Sequence, residues 1–297
     1  MSTPLVSVVI PTKDRWTLLR RALSGVASQR DVELELLVVD DGSAGRAPAD
    51  VLATIAQHGE LLSNDGPRGV AAARNLGLDR ARGEWVAFLD DDDVWAPDWL
   101  GSAVDAGVAG RAGLVAGAYW IVDRHGTVTG AQPAPDPADI ADALPYGNVI
   151  GGPSMVLLET AAVRAVGGFE TRLSALADWE LWLRLSRRVA CATVDRPLVA
   201  YTLHEGNMHV RDPAGVRIEV GVLERDDLLA PGARAGIDRW MASDASIHHR
   251  RLRAGAAFFS LALKERRVPD LFSALRALTV GHRAPRAAGV APGPLPW

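Results

Sequence analysis

Three short apolar runs, each ending in a polar turn and followed by helical periodicity, constrain this chain's fold more than any other feature. Leu5 to Ile10 is a β-branched run closed by Pro11, which cannot continue the ladder of a central strand. Leu34 to Val39 runs into Asp40-Asp41-Gly42-Ser43, and Trp85 to Leu89 runs into Asp90. After Asp14, the residues Trp16, Leu19, Leu23, Val26 and Ala27 recur at three- and four-residue spacing, which is one helix face. A weaker helical pattern covers Ala47 to His58, a short strand lies near Leu61, and the spacing predicts a helix from Val70 to Ala81. Strands alternating with helices build a parallel sheet covered on its faces, and such sheets bind ligands outside the carboxyl ends of their strands. Both acidic turns lie at such ends.

Beyond Pro97 the pattern changes. A helix to about Ala109 is followed by apolar runs over Gly113 to Val122 and Thr127 to Ala131, separated by Asp123-Arg124-His125-Gly126 as in a hairpin. The stretch 132–147 holds four prolines and reads as a surface loop near the site. Ser154 to Leu158 reads as a strand, Gly167-Gly168 as a turn, Ala177 to Arg188 as a helix, and Val189 to Val194 and Leu198 to Leu203 as two strands. From Pro213 the pattern is helical, over Val216 to Leu229, Ala233 to Leu263 and Asp270 to Thr279, before a Pro/Gly-rich end from Ala284 that is expected to be poorly ordered. The expected organisation is a domain over 1–210, with halves 1–98 and 99–210, and a helical region over 211–297.

With 48% hydrophobic residues the chain can bury a substantial core. Its net charge of −4 gives no reason to expect a nucleic-acid partner. The charge is uneven: residues 1–210 carry −9 and residues 211–297 carry +5. All but Lys13 and Lys264 of the basic residues are arginine, a bias that fits a GC-rich bacterial genome. The single cysteine, Cys191, excludes an intramolecular disulfide and a multi-cysteine zinc site. With no secretory leader pattern and no apolar run of membrane-spanning length, the expected location is the cytoplasm, or the inner face of the membrane as a peripheral protein.

Four consecutive aspartates, Asp90 to Asp93, raise one another's pKa unless a cation neutralises them. Mg²⁺ or Mn²⁺ with oxygen ligands, some from a diphosphate, is one remedy, and a solvated acidic turn or a capping run before the Pro97 helix is the other reading. The chain has neither a G-x-x-x-x-G-K-[ST] nor a G-x-G-x-x-G pattern, so phosphate-loop and dinucleotide readings have no support.

The blocks VSVVIPTKDR from Val6, LLVVDDGS from Leu36, GVAAARNLGL from Gly69, GEWVAFLDDDDVWAP from Gly83 and GGFETRLSALADWELWLRL from Gly167 occur in order. Together they resemble the family 2 glycosyltransferases over residues 5–210. The resemblance implies an α/β, GT-A-like fold, a mostly parallel central sheet flanked by helices, here with a C-terminal helical appendage. It also implies inverting transfer of a sugar from a nucleotide diphosphate sugar, UDP-linked by family prevalence, to a hydroxyl acceptor. That acceptor is a saccharide, a lipid-linked molecule or a natural-product aglycone.

Residue by residue, the resemblance puts Pro11 and Thr12 beside the base, Asp14 among the donor-binding residues, and Asp41 on the imide N–H of uracil. It puts Arg68, Arg74, Asp90 and Asp91 at the ribose and diphosphate, Asp92 and His204 at the metal, and Asp178 as the general base. Other readings stay open: Asp41 as an Asx-turn, Asp93 and Asp178 as helix caps, Glu180 as a second base, and the arginines and His204 as ordinary solvated residues. Trp95, Trp99, Trp120 and Trp179 either stack on ligand or pack the core. The tail arginines Arg217, Arg225, Arg234, Arg239, Arg250, Arg251 and Arg253 either face an anionic lipid-linked acceptor or membrane, or cover a packing or homodimerisation module. A nucleotide-sugar-binding protein without turnover and a sugar nucleotidyltransferase are the competing function classes.

Overall fold

The computed structural model describes residues 5–204, 212–234, 236–238 and 293–297. The helix predicted over Asp270 to Thr279, and nearly all of that over Ala233 to Leu263, lie outside them. So do Arg239, Arg250, Arg251 and Arg253.

The first half is the expected alternation. Strands β1 (Leu5–Thr12), β2 (Glu33–Asp40), β3 (Gly59–Ser63) and β4 (Trp85–Phe88) pair in parallel in the order β3-β2-β1-β4. Helices α1 (Trp16–Ala27), α2 (Ala49–His58) and α3 (Val70–Arg80) connect them. Parallel strands covered on both faces should be apolar throughout. Accordingly Val8, Val9, Ile10, Val38 and Val39 are fully buried. Helix α1 buries Leu19, Ala22, Leu23 and Val26, whereas Ala27, predicted on the same face, is exposed.

Beyond β4 the sheet becomes mixed. The later elements are β5 (Val94–Trp95), α4 (Trp99–Gly110), β6 (Leu114–Val122), β7 (Val128–Gln132), α5 (Ile140–Ala143), β8 (Val156–Glu159), α6 (Thr160–Ala165), α7 (Ala177–Leu185), β9 (Cys191–Thr202) and α8 (Pro213–Arg225). The order continues β8-β6-β9-β5, with β8 antiparallel to both β4 and β6, and β6 parallel to β9. The predicted hairpin is present as β6 and β7, its turn closed by Asp123 Oδ1 accepting from the amides of His125 and Thr127 at 2.8 and 3.0 Å.

Three expectations are corrected. The two strands predicted over 189–203 are one, β9, in which Asp195-Arg196-Pro197 bulges out where the register against β6 shifts between Gly117 and Tyr119. The proline-rich stretch 132–147 is not all surface loop, because Ile140 and Leu144, four apart, are fully buried. The Pro/Gly-rich end does not lack structure throughout: the Val128 amide donates to Gly293 O at 2.8 Å, and Leu295 packs beside Val122, Val128 and Ala200.

Helix α8 is not separate from the sheet's core. Val216, Val220 and Leu223, on one face at three- and four-residue spacing, are 1%, 2% and 0% exposed within it. Packing of the core thus continues past residue 210 into α8. Among the described residues no helix is long and apolar enough to cross a membrane.

Candidate active site

The loops after β1, β2 and β4 lie side by side because β1 sits between β2 and β4. In the first of them Asp14 takes a left-handed φ of 55° and its Oδ1 accepts from the Ala44 amide at 2.7 Å, while its own amide donates to Ser43 Oγ at 2.8 Å. Asp14 therefore fastens the first loop to the second. It does not cap α1, whose N-cap position is Arg15. Pro11 is buried within β1 opposite Val39.

Asp41 is 6% exposed and accepts from Asn64 Nδ2 at 2.7 Å and from the amides of Arg68 and Gly69 at 2.8 and 2.9 Å. A carboxylate offers about four acceptor directions, so one remains. Gly42 next to it has φ of 78°, and a Cβ there would lie 2.9 Å from Pro67 N, so this turn admits no side chain. Arg68 is exposed, with Asp65 at 3.9 Å as its ion-pair partner.

The four aspartates after β4 fan apart. Asp90 accepts from Arg74 Nη2 at 2.6 Å, and Asp91 accepts from Thr12 Oγ1 at 2.7 Å and pairs with Arg15 at 3.0 Å. Asp92 pairs with Arg15 and lies 2.8 Å from His204 Nε2. Asp93, 1% exposed, accepts from Ser154 Oγ at 2.6 Å and the Thr202 amide at 2.9 Å. It does not cap α4, correcting the alternative read from the sequence.

Burial pushes Asp91 up to about 7 against the pull of Arg15. Asp93 is held well above the ordinary carboxylate range by burial and then by Asp92 and Asp90. At Asp92 burial is outweighed by His204 and Arg15, which hold it low. Arg15 and Arg74 thus offset part of the crowded negative charge, and burial shifts Asp93 towards its protonated form. Among the described residues no group of three or more His, Cys, Asp or Glu side chains is arranged to hold a metal. Asp92 and His204 do meet, and one carboxylate plus one imidazole suits a hard cation whose other ligands are phosphate and water oxygens.

Arg74, 4% exposed, links this turn to the second half of the domain: its guanidinium carbon lies 5.2 Å from the Phe169 ring centroid, and Phe169 packs edge-on against Phe88 at 4.8 Å. The adjacent Asn75 exchanges 2.8 Å hydrogen bonds with both the amide and carbonyl of Phe169. Nearby, α7 presents Asp178 in its first turn, partly exposed, accepting from the Trp179 amide at 2.7 Å. Burial, helped by the charge of Asp90, pushes Asp178 up to about 6 against the pull of Arg74. Among the described residues Asp178 has no ion-pair partner. Glu180 differs: it is 6% exposed and gripped by Arg184 through two 2.5 Å hydrogen bonds, and Arg184 also binds Val166 O and Gly168 O.

Trp95, Trp99 and Trp179 are 1%, 0% and 3% exposed and are core residues, not stacking platforms; the indoles of Trp95 and Trp179 donate to Ser154 O and Leu144 O. Trp120 is partly buried against Val122, Val128 and Ala200. Sequence reasoning gave no role to Arg15 or Ser154. The signal for Arg15 was a basic residue at the carboxyl end of a strand next to an acidic loop; Ser154 had none, since its link to Asp93 exists only through strand order.

A parallel half-sheet with acidic loops at its carboxyl end, faced by a helix whose first turn carries a partly exposed carboxylate, defines the GT-A class of fold. Residues 7–165 match the family described as glycosyl transferase family 2, and this chain belongs to that family. It is 31% identical over 128 residues to the Escherichia coli UDP-Glc:alpha-D-GlcNAc-diphosphoundecaprenol beta-1,3-glucosyltransferase WfgD, covering 43% of this chain and 51% of that one. It is 30% identical over 216 residues to the Mycobacterium tuberculosis pre-mycofactocin glycosyltransferase, covering 70% and 44%. The chain thus spans about half the length of these relatives. In structure it resembles the Pyrobaculum calidifontis mannosyltransferase in complex with GDP-Man and Mn²⁺, with TM-score 0.62, 20% identity and coverage of 94% and 81%. It also resembles S. aureus TarS in complex with UDP, with TM-score 0.57, 18% identity and coverage of 92% and 81%. At these identities the two likenesses speak for the fold.

Proposed function

We propose that the protein is an inverting glycosyltransferase that moves a sugar from a UDP-linked donor to a hydroxyl acceptor, with Asp178 as general base. The contrast between Asp178 and Glu180 carries this reading. Both lie at the start of α7, but Glu180 is neutralised by Arg184, whereas Asp178 is partly exposed and tuned by burial towards a more basic carboxylate. A base must have a free lone pair facing the proton it removes, and a higher pKa strengthens the pull.

In this mechanism the acceptor oxygen attacks the anomeric carbon as Asp178 takes its proton, and the bond from that carbon to the diphosphate oxygen breaks on the opposite face, so the configuration inverts. Asp92 and His204 would hold a Mn²⁺ or Mg²⁺ ion, which when bound neutralises charge developing on the diphosphate. Arg15 and Arg74 fix the acidic turn from which that ion is held. The remaining acceptor direction of Asp41 suits the imide N–H of uracil. Molecules in the names of relatives and neighbours support a sugar-nucleotide donor: UDP-Glc for WfgD, bound UDP for TarS, and bound GDP-Man with Mn²⁺ for the mannosyltransferase. A diphosphoundecaprenol-linked sugar in the name of WfgD supports a lipid-linked acceptor reached at the membrane face.

Calorimetry of UDP, GDP and dTDP with and without chelator, followed by NMR of the product's anomeric configuration, tests this. Metal-dependent UDP binding and inversion are expected. Equal UDP affinity in chelator removes the metal from the reading, and a retained configuration overturns the mechanism.

A further inference from the structure

Glu219, on α8, lies outside the sequence blocks that carry the family resemblance, yet its carboxylate collects the amides of three consecutive residues just before α7. Oε1 accepts from Ser174 at 2.8 Å and Ala175 at 3.3 Å, and Oε2 accepts from Ala175 at 3.0 Å and Leu176 at 2.8 Å. Leu176 is the N-cap of α7, and Asp178 follows two residues later. A carboxylate held by several amides at a helix start makes charge-assisted hydrogen bonds and sits favourably in the helix dipole. Glu219 itself is set by packing: it lies between Val216 and Val220, both buried in the core, and α8 begins with Asp212 Oδ1 accepting from the Gly215 amide at 2.9 Å.

The start of α7 is gripped from a second side. Trp179 Nε1 donates to Leu144 O at 2.9 Å, and the Ala230 amide donates to Pro145 O at 3.0 Å, so the segment after α8 and the end of the 132–147 stretch are tied to each other. Loop residues 174–176 therefore have little freedom of their own.

We infer that Glu219 is a positioning residue for Asp178: the C-terminal helix sets where the base meets the acceptor hydroxyl. This rests on Asp178 being the base. Displacing a reacting group by about 1 Å lowers turnover roughly 10²-fold, which sets the scale of the effect. Donor binding, built from the loops after β1, β2 and β4, should not feel it.

The test uses the full chain with four variants: Glu219→Ala, Glu219→Gln, Asp178→Asn and the double Glu219→Ala/Asp178→Asn. Glu219→Ala is expected to lower kcat about 10- to 100-fold with UDP affinity within about twofold of the parent. Glu219→Gln keeps one acceptor oxygen and should recover much of the loss. In the Asp178→Asn background Glu219→Ala should add little, because a residue acting through another is not additive with it. Parent-like kcat in Glu219→Ala, or kcat and UDP affinity falling together, overturns the inference. An independent, multiplicative effect in the double variant does the same. Failure of the underlying reading shows separately, as an active Asp178→Asn single variant.

Discussion

Asp178 and Glu180 are two residues apart on one helix in opposite electrostatic circumstances, and their substitutions should separate catalysis from stability. Asp178→Asn keeps the shape and removes the basicity; turnover should fall by roughly 10² to 10⁴ while UDP affinity stays level, read by steady-state kinetics beside calorimetry. Glu180→Gln should instead lower the thermal midpoint by weakening the Arg184 grip, a charged hydrogen bond worth about 1.5–3 kcal/mol, and leave kcat within severalfold. The sign of the pH dependence follows from the direction of the shift. Asp178 titrates at about 6, so as pH falls through 6 the base becomes protonated and kcat should drop, with a plateau above. A kcat profile flat from pH 8 to 5 would exclude Asp178 as the titrating base. The aspartates themselves were legible in the sequence, because strand ends expose loops and carboxylates there are conspicuous. Their partners were not. Arg15, Ser154 and Thr202 reach the acidic turn from 61 to 109 residues away in sequence, a proximity created by strand order alone.

At the scale of elements, α3 meets β1 at a glycine. A Cβ on Gly77 would lie 2.3 Å from Val9 Cγ1, so the helix packs on the strand with no room for a methyl group. Gly77→Ala gains about 1 kcal/mol of helix propensity but forces the overlap, and overpacking of this kind costs about 1–3 kcal/mol, so denaturant unfolding should show net destabilisation. Adding Val9→Ala should recover part of the Gly77→Ala loss; no recovery would mean that the contact is not the cause. The elements of the first half could be read because a parallel strand buried on both faces is a continuous apolar run. Elements of the second half are weaker in sequence. Asp195-Arg196-Pro197 carries the composition of a turn, but the chain continues in the same direction past it, and a bulge inside one strand cannot be told from a turn between two by local residues. The two buried side chains Ile140 and Leu144 were hidden among prolines for the same reason: two apolar residues make too short a period to register.

For the molecule as a whole, the C-terminal region read from the sequence as a helical appendage, and its first helix, α8, shares the body's core. Fully burying a side chain such as Val216, Val220 or Leu223 contributes about 1.5–3 kcal/mol each, so together they approach the 5–15 kcal/mol by which a domain is stable. A chain ending at Arg211 should therefore show a large fall in thermal midpoint or fail to fold, and if α8 were a mere appendage its midpoint would match the parent's. The last residues have a different consequence. Strand β7 pairs with β6 on one side, and on its other side the Val128 amide is taken by Gly293. An unpaired strand edge is a template on which a second molecule can add its own strand, the first step towards insoluble aggregates. Residues 293–297, with Leu295 seated beside that edge and prolines that offer no amide to extend the ladder, occupy it at Val128, where a second strand would begin to pair. Removing residues 293–297 should leave transfer chemistry untouched while light scattering reports mass that rises with concentration and storage, so that these five residues govern how long the enzyme stays dispersed.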